Sequence, residues 1–222
     1  MKPKMKRFFF ILVAVVAVAQ ANAQQSFYKG ALVISADAGF EAYSVSENYN
    51  IIGISNKLFS ATAKINTTTS AGGSFEFGLF KWLGIGLQSN YNSYNLSKDS
   101  LGNRPNATSF AIGGLVNLHI LRIHHLDLML GGNFSLSFLH YSDNFGKVQL
   151  ATGGSEDIHL TARYYFGRFG LNASASLPFT NYPKFSSNSN LTVGENVLDT
   201  WKASGGAFSI GIQYRIFSPA DL

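Results

Sequence analysis

From Leu126 to Phe138 the chain reads Leu-Asp-Leu-Met-Leu-Gly-Gly-Asn-Phe-Ser-Leu-Ser-Phe. Leu126, Leu128, Leu130, Phe134, Leu136 and Phe138 fall at every second position, and Asp127, Asn133, Ser135 and Ser137 stand between them. A period of two belongs to a β-strand, whose successive side chains point to opposite faces. One face of this strand is hydrocarbon and the other is polar. The same alternation recurs in eight windows, at 32–43, 71–80, 83–92, 110–121, 126–138, 157–166, 169–179 and 208–217.

Connection lengths add a second constraint. Short ones at 81–82, 122–125 and 167–168 alternate with long polar ones at 44–70, 94–109, 140–156 and 180–201. Antiparallel hairpins with both termini on the short-turn side require an even number of strands. Windows of about ten residues suit a tilted strand crossing a hydrocarbon layer. The predicted fold is all-β: an eight-stranded antiparallel up-and-down transmembrane β-barrel, apolar outside and polar within. Aromatic residues are expected to form two girdles at the headgroup levels. Phe80, Trp82, Tyr164, Phe166, Phe169, Tyr214 and Phe217 would line the short-turn rim. Phe40, Tyr43, Tyr91, Phe138, Tyr141, Phe179 and Tyr182 would line the other.

The first 23 residues read as a secretory signal peptide. Lys2, Lys4, Lys6 and Arg7 precede an apolar run at 8–19, and Ala21-Asn22-Ala23 supplies the cleavage site. Twelve apolar residues are too few for a membrane helix. Residues 24–222 then form one barrel domain. The whole chain has 17 Lys+Arg against 12 Asp+Glu, but four of the positive charges lie in the signal. The mature charge is close to neutral, so no basic surface argues for nucleic acid. The absence of cysteine excludes a disulfide scaffold, thiol catalysis and lipoprotein anchoring.

Several segments carry a family resemblance. The signal peptide, the Tyr28-Lys29-Gly30 lead-in, the Phe-Lys-Trp-Leu-Gly-Ile-Gly-Leu turn from Phe80 to Leu87 and the closing Gln213-Tyr214-Arg215-Ile216-Phe217 strand resemble the outer-membrane β-barrel domain families. Those are small single-domain barrels related in architecture to the OmpX and OmpA transmembrane domains. The resemblance spans the mature chain. It implies a Gram-negative outer membrane, contact with membrane lipids and lipopolysaccharide, and insertion by the barrel-assembly machinery. Such chains end on an aromatic residue, whereas this one continues past Phe217 to Leu222.

Inward polar groups are the first candidates for function. A lumen network of Asp37, Glu76, His119, Asp127, His159, Arg163 and Arg215 is expected, with Glu41 and Asp157 nearby. Buried charges must pair, and eight strands leave an interior only wide enough for side chains. Asp127 and Arg163 are expected to be neighbours. A filled lumen is preferred, and a narrow polar pore for small solutes is the alternative.

A second alternative is a hydrolase. His140, Ser142 and Glu156 all have lipid-facing parity near the outer rim. Hydroxyl, imidazole and carboxylate together could cleave an ester. The His-x-Ser spacing resembles that of outer-membrane lipid A deacylases. It stands here in the fifth window rather than near the C-terminus, and that family's surrounding Asn and Gly pattern is absent. No catalysis and no cofactor are expected. Adjacent His124 and His125 read as turn surface, and Gly84-Ile85-Gly86 opens no helix and so binds no nucleotide. The expected role is structural, or surface interaction through the Asn-, Ser- and Thr-rich outer loops, whose ligand the sequence leaves open.

Overall fold

The structure is a computed structural model. It describes residues 26–51, 59–61, 65–97, 105–123, 125–142, 148–187 and 196–216. The signal peptide, Phe217 and the C-terminal extension lie outside the described residues. Ten strands are present among them: β1 (Leu32–Ile51), β2 (Phe59–Ala61), β3 (Ile65–Phe80), β4 (Leu83–Asn95), β5 (Asn106–Ile123), β6 (Leu126–Ser142), β7 (Val148–Phe166), β8 (Phe169–Tyr182), β9 (Phe185–Ser187) and β10 (Asn196–Arg215). Eight of them close a cylinder in the order β1, β3, β4, β5, β6, β7, β8, β10, and β10 returns to pair with β1. Every pairing is antiparallel. The short β2 and β9 add to the extracellular ends of β1 and β7.

The register fixes the stagger. Successive partners lead from Ala36 through Gly73, Ser89, Ile112, Leu136, Gly154, Asn181 and Lys202, then back to β1 at Ser46. One circuit therefore climbs ten residues along β1, the shear that tilts the strands against the barrel axis.

The outer wall is hydrocarbon through its middle. Ile34, Phe75, Leu87, Ile112, Leu130, Phe134, Ile158, Leu171 and Ile212 are all exposed. The chain is an all-β transmembrane barrel with its apolar rows outward. Phe80, Trp82, Tyr164, Phe166 and Phe169 ring the short-turn end. At that end Gly167, in a two-residue hairpin turn, adopts φ of 69°, a conformation that favours glycine.

Two sequence expectations are corrected. The strands run well beyond the predicted windows, so much of each long connection is barrel wall. Tyr43, Tyr141 and Tyr182 do not join the outer girdle; they point inward and are buried. Phe40, Tyr91, Phe138 and Phe179 do lie outside. The reason is parity. Tyr43 is an odd number of residues from Phe40, so the two face opposite ways on β1. Once the strand has left the lipid, burial favours the inward ring.

Candidate functional site: a lumen closed at both ends

The periplasmic half of the lumen is filled by an ionic network. Glu76 on β3 is fully buried and receives three groups. Arg163 Nη1 on β7 lies 2.6 Å from its Oε2, while Asn117 Nδ2 on β5 donates to Oε1 at 2.8 Å. His119 Nε2 contacts the same Oε1 at 3.1 Å. The other imidazole nitrogen, Nδ1, faces Asp127 Oδ1 at 2.9 Å. Asp127 and Arg163 are register partners, with Nη1 and Oδ2 3.9 Å apart. Both ring nitrogens of His119 thus face carboxylates, which accept only. A doubly protonated ring supplies both donors and sets two cations against two anions.

The network continues upward. His159 Nε2 lies 3.0 Å from Asn117 Oδ1, and its Nδ1 lies 2.8 Å from Asp157 Oδ1. Asn133 Nδ2 donates to Asp157 Oδ2 at 2.6 Å. Close packing explains two glycines. A side chain at Gly84 would collide with the Glu76 carboxylate, and one at Gly131 with Asn117 and His159.

Two residues of the expected network lie elsewhere. Asp37 stands on β1, apart from these pairs. It lines a polar cavity of about 140 Å³ above the network, together with Glu41, Asn90, Asn133, Asp157 and His159. Arg215 contacts no carboxylate among the described residues. Its guanidinium donates to the carbonyls of Ser26 at 2.7 Å and Gly167 at 3.0 Å, and lies over the Tyr165 ring at 4.8 Å. The correction has a physical cause: Arg215 stands at the rim, where backbone carbonyls offer acceptors that strand patterning does not reveal.

Those carbonyls belong partly to a segment that the sequence marks only as the lead-in to the first strand. Residues 26–31 fold into the periplasmic mouth. Phe27 is wholly buried, its ring stacked on His119 with centroids 3.5 Å apart and planes at 10°. Ser26 Oγ donates to the Leu126 carbonyl at 2.9 Å, and Gly30 N to the Gly78 carbonyl at 2.7 Å. An aromatic pair just ahead of the first strand was the only available signal.

The extracellular end is closed differently. Trp201 is fully buried at the centre of three tyrosines. Ring centroids lie 5.1 Å away for Tyr94, 5.5 Å for Tyr182 and 6.5 Å for Tyr43. Tyr182 Oη and Ser137 Oγ are 2.6 Å apart, and Tyr94 Oη and Ser109 Oγ are 3.0 Å apart. Val45, Leu96, Leu139 and Tyr141 pack around this stopper.

Outside the barrel, the three residues of the hydrolase alternative are separated. His140 pairs with Leu150 on β7, and Glu156 pairs with Phe134. Those two levels are six residues apart on β7, about 20 Å at the rise of a strand. Ser142 is further still from Glu156. No catalytic triad forms, because the register of β6 on β7 places parity-matched residues at different heights. Among the described residues, no group of three or more His, Cys, Asp or Glu is arranged to hold a metal ion.

Comparison with known proteins places the fold. No family model matches the chain, and no curated sequence matches it. Among solved structures it is similar to Neisserial surface protein A, at 12% identity and a TM-score of 0.50, covering 85% of this chain and 100% of that one. It is also similar to the outer membrane protein OprG from Pseudomonas aeruginosa, at 12% identity and a TM-score of 0.51, covering 88% and 100%. The outer membrane protein AlkL in lipid bilayers gives 13% identity and a TM-score of 0.50, covering 88% and 94%. The architecture is that of the small outer-membrane barrels.

Proposed function

We propose that this chain is an integral outer-membrane protein of a Gram-negative bacterium that acts as a closed scaffold and meets its partners through its extracellular end. Residues 1–23 are removed on export, and the barrel-assembly machinery inserts the rest among outer-membrane lipids and lipopolysaccharide. It performs no catalysis. The supporting observation is the doubly stopped lumen. Phe27 and the Glu76–His119–Asp127–Arg163 cluster fill the periplasmic end, and Trp201 with its tyrosines fills the other. A polar cavity of about 140 Å³ lies between them, lined by Asp37, Glu41, Asn90 and His159. Extracellular strand extensions and the segments joining them remain as the working surface.

Single-channel recording in planar bilayers tests this. The wild-type barrel is expected to stay silent at moderate voltage, and steady unitary conductance would restore the pore reading. Mass spectrometry of lipid A from cells with and without the protein is expected to show identical acylation. A heat-modifiable band in the outer-membrane fraction is the expected localisation result.

A further inference from the structure

The lipid-facing wall carries one acidic side chain among the described residues, and the lumen network makes no use of it. Glu156 is exposed on the outer face of β7. Its register partners are Phe134 on β6 and Phe179 on β8, both exposed, and Ile158 follows it toward the periplasm. Phe134 is 68% exposed, so the carboxylate projects from a hydrocarbon surface. No described residue bonds to it. A charge on the lipid face of a barrel is unfavourable unless something on the lipid side answers it.

The wall is notched just above. Two residues toward the extracellular end stands Gly154, where a side chain would meet no atom within 4 Å. The opening is shallow and is lined by Phe134, Leu136, Thr152, Asn181 and Pro183. Gly154 pairs with Asn181, and Asn181 pairs with Lys202, which is exposed on the outer face of β10. A cation therefore stands above the notch and a carboxylate below it.

This vertical order selects a ligand. A carboxylate only accepts hydrogen bonds. Below its phosphate, a glycerophospholipid presents ester oxygens, which also only accept. A phosphoglycolipid with amide-linked, hydroxylated acyl chains presents N–H and O–H donors at that depth. We propose that this patch binds one lipid of the lipid A class from the outer leaflet. Lys202 meets a phosphate, the sugar that carries it lies over the opening at Gly154, and Glu156 accepts a hydrogen bond from an amide N–H or acyl hydroxyl just below. The inference rests on the outer-membrane placement proposed above, and is independent of whether the lumen conducts.

The test uses the purified barrel in nanodiscs of phosphatidylethanolamine and phosphatidylglycerol with lipid A as a minor component. Native mass spectrometry after detergent release counts retained lipids. Wild-type protein is expected to keep one lipid A. Gly154→Phe, which fills the notch, and Glu156→Leu, which removes the acceptor, are each expected to lower that retention about tenfold, the effect of losing one good contact. Lys202→Ala lowers it less, and glycerophospholipid retention is the same in all four proteins. Wild-type retention of lipid A no greater than of phosphatidylglycerol would overturn the proposal. So would unchanged retention by a heat-modifiable Gly154→Phe or Glu156→Leu barrel. Since Glu156→Leu adds hydrocarbon to a lipid-facing position, it keeps the test alive should the other variant fold poorly. Failure of the wild-type barrel to insert at all would instead count against the membrane placement.

Discussion

The two halves of this barrel are built on opposite rules. In the periplasmic half, leucine, isoleucine and phenylalanine face outward, and Glu76, His119, Asp127 and Arg163 fill the centre. In the extracellular half, the same strands turn Ser44, Ser46, Thr69, Asn95, Thr152 and Ser204 outward and Tyr43, Val45, Tyr94, Leu139 and Trp201 inward. The solvent outside explains the inversion. Lipid surrounds the first half, so apolar side chains gain nothing by turning inward, and the charged groups inside are stable because they pair with one another. Water surrounds the second half, and burying aromatic rings there stabilises the wall as in a soluble barrel. One cylinder therefore holds an ionic stopper at one end and an aromatic stopper at the other.

Substitutions can break or sharpen this contrast. The largest effect is expected at Arg163. Arg163→Met leaves Glu76 buried without its closest cation and should cost about 3–5 kcal/mol in urea unfolding from lipid vesicles. Adding Glu76→Met to that variant should recover most of the loss. Recovery would mark the network as a satisfied filling rather than a source of net stability. Next comes a matched pair on one strand. Ala38→Arg sits on the lipid-facing wall of β1 and should cost about 2–4 kcal/mol, whereas Ser44→Arg, on the same face nearer the extracellular end, should cost about nothing. Equal costs would erase the boundary between the halves.

Ser137→Ala removes one hydrogen-bond partner of the buried Tyr182 hydroxyl and leaves Ser109 and Tyr94 beside it, for an expected loss of about 1 kcal/mol confined to the aromatic stopper. The smallest change is expected at Gln213. Its amide is buried and has no hydrogen-bond partner among the described residues. Gln213→Leu should therefore leave the unfolding midpoint unchanged or raised, since no bond is lost and a polar group is removed. A marked fall would reveal a role for that amide.

The part of the fold that sits in lipid was legible because its outer rows obey one simple rule. Leu126 through Phe138 showed it most clearly, and the alternation of turns with long connections gave the even strand number. Beyond the lipid the rule reverses, so Tyr43 and Tyr182 read as girdle residues although they seal the lumen. The polar lumen residues were legible as inward-facing, since parity alone decides that. Their grouping was less so. Asp127 and Arg163 are neighbours in register, but Arg215 pairs with carbonyls and Asp37 faces the cavity. Phe27 lies outside any strand, where periodicity carries no information.

By itself the sequence determined strand number, facing and the sense of the wall, because side-chain alternation is a local property of each strand. Which inward groups touch, and which outward ones stand level, was decided only by the tertiary structure. Those relations depend on the shear that carries Ala36 around the cylinder to Ser46, a displacement summed over eight pairings that no single strand encodes.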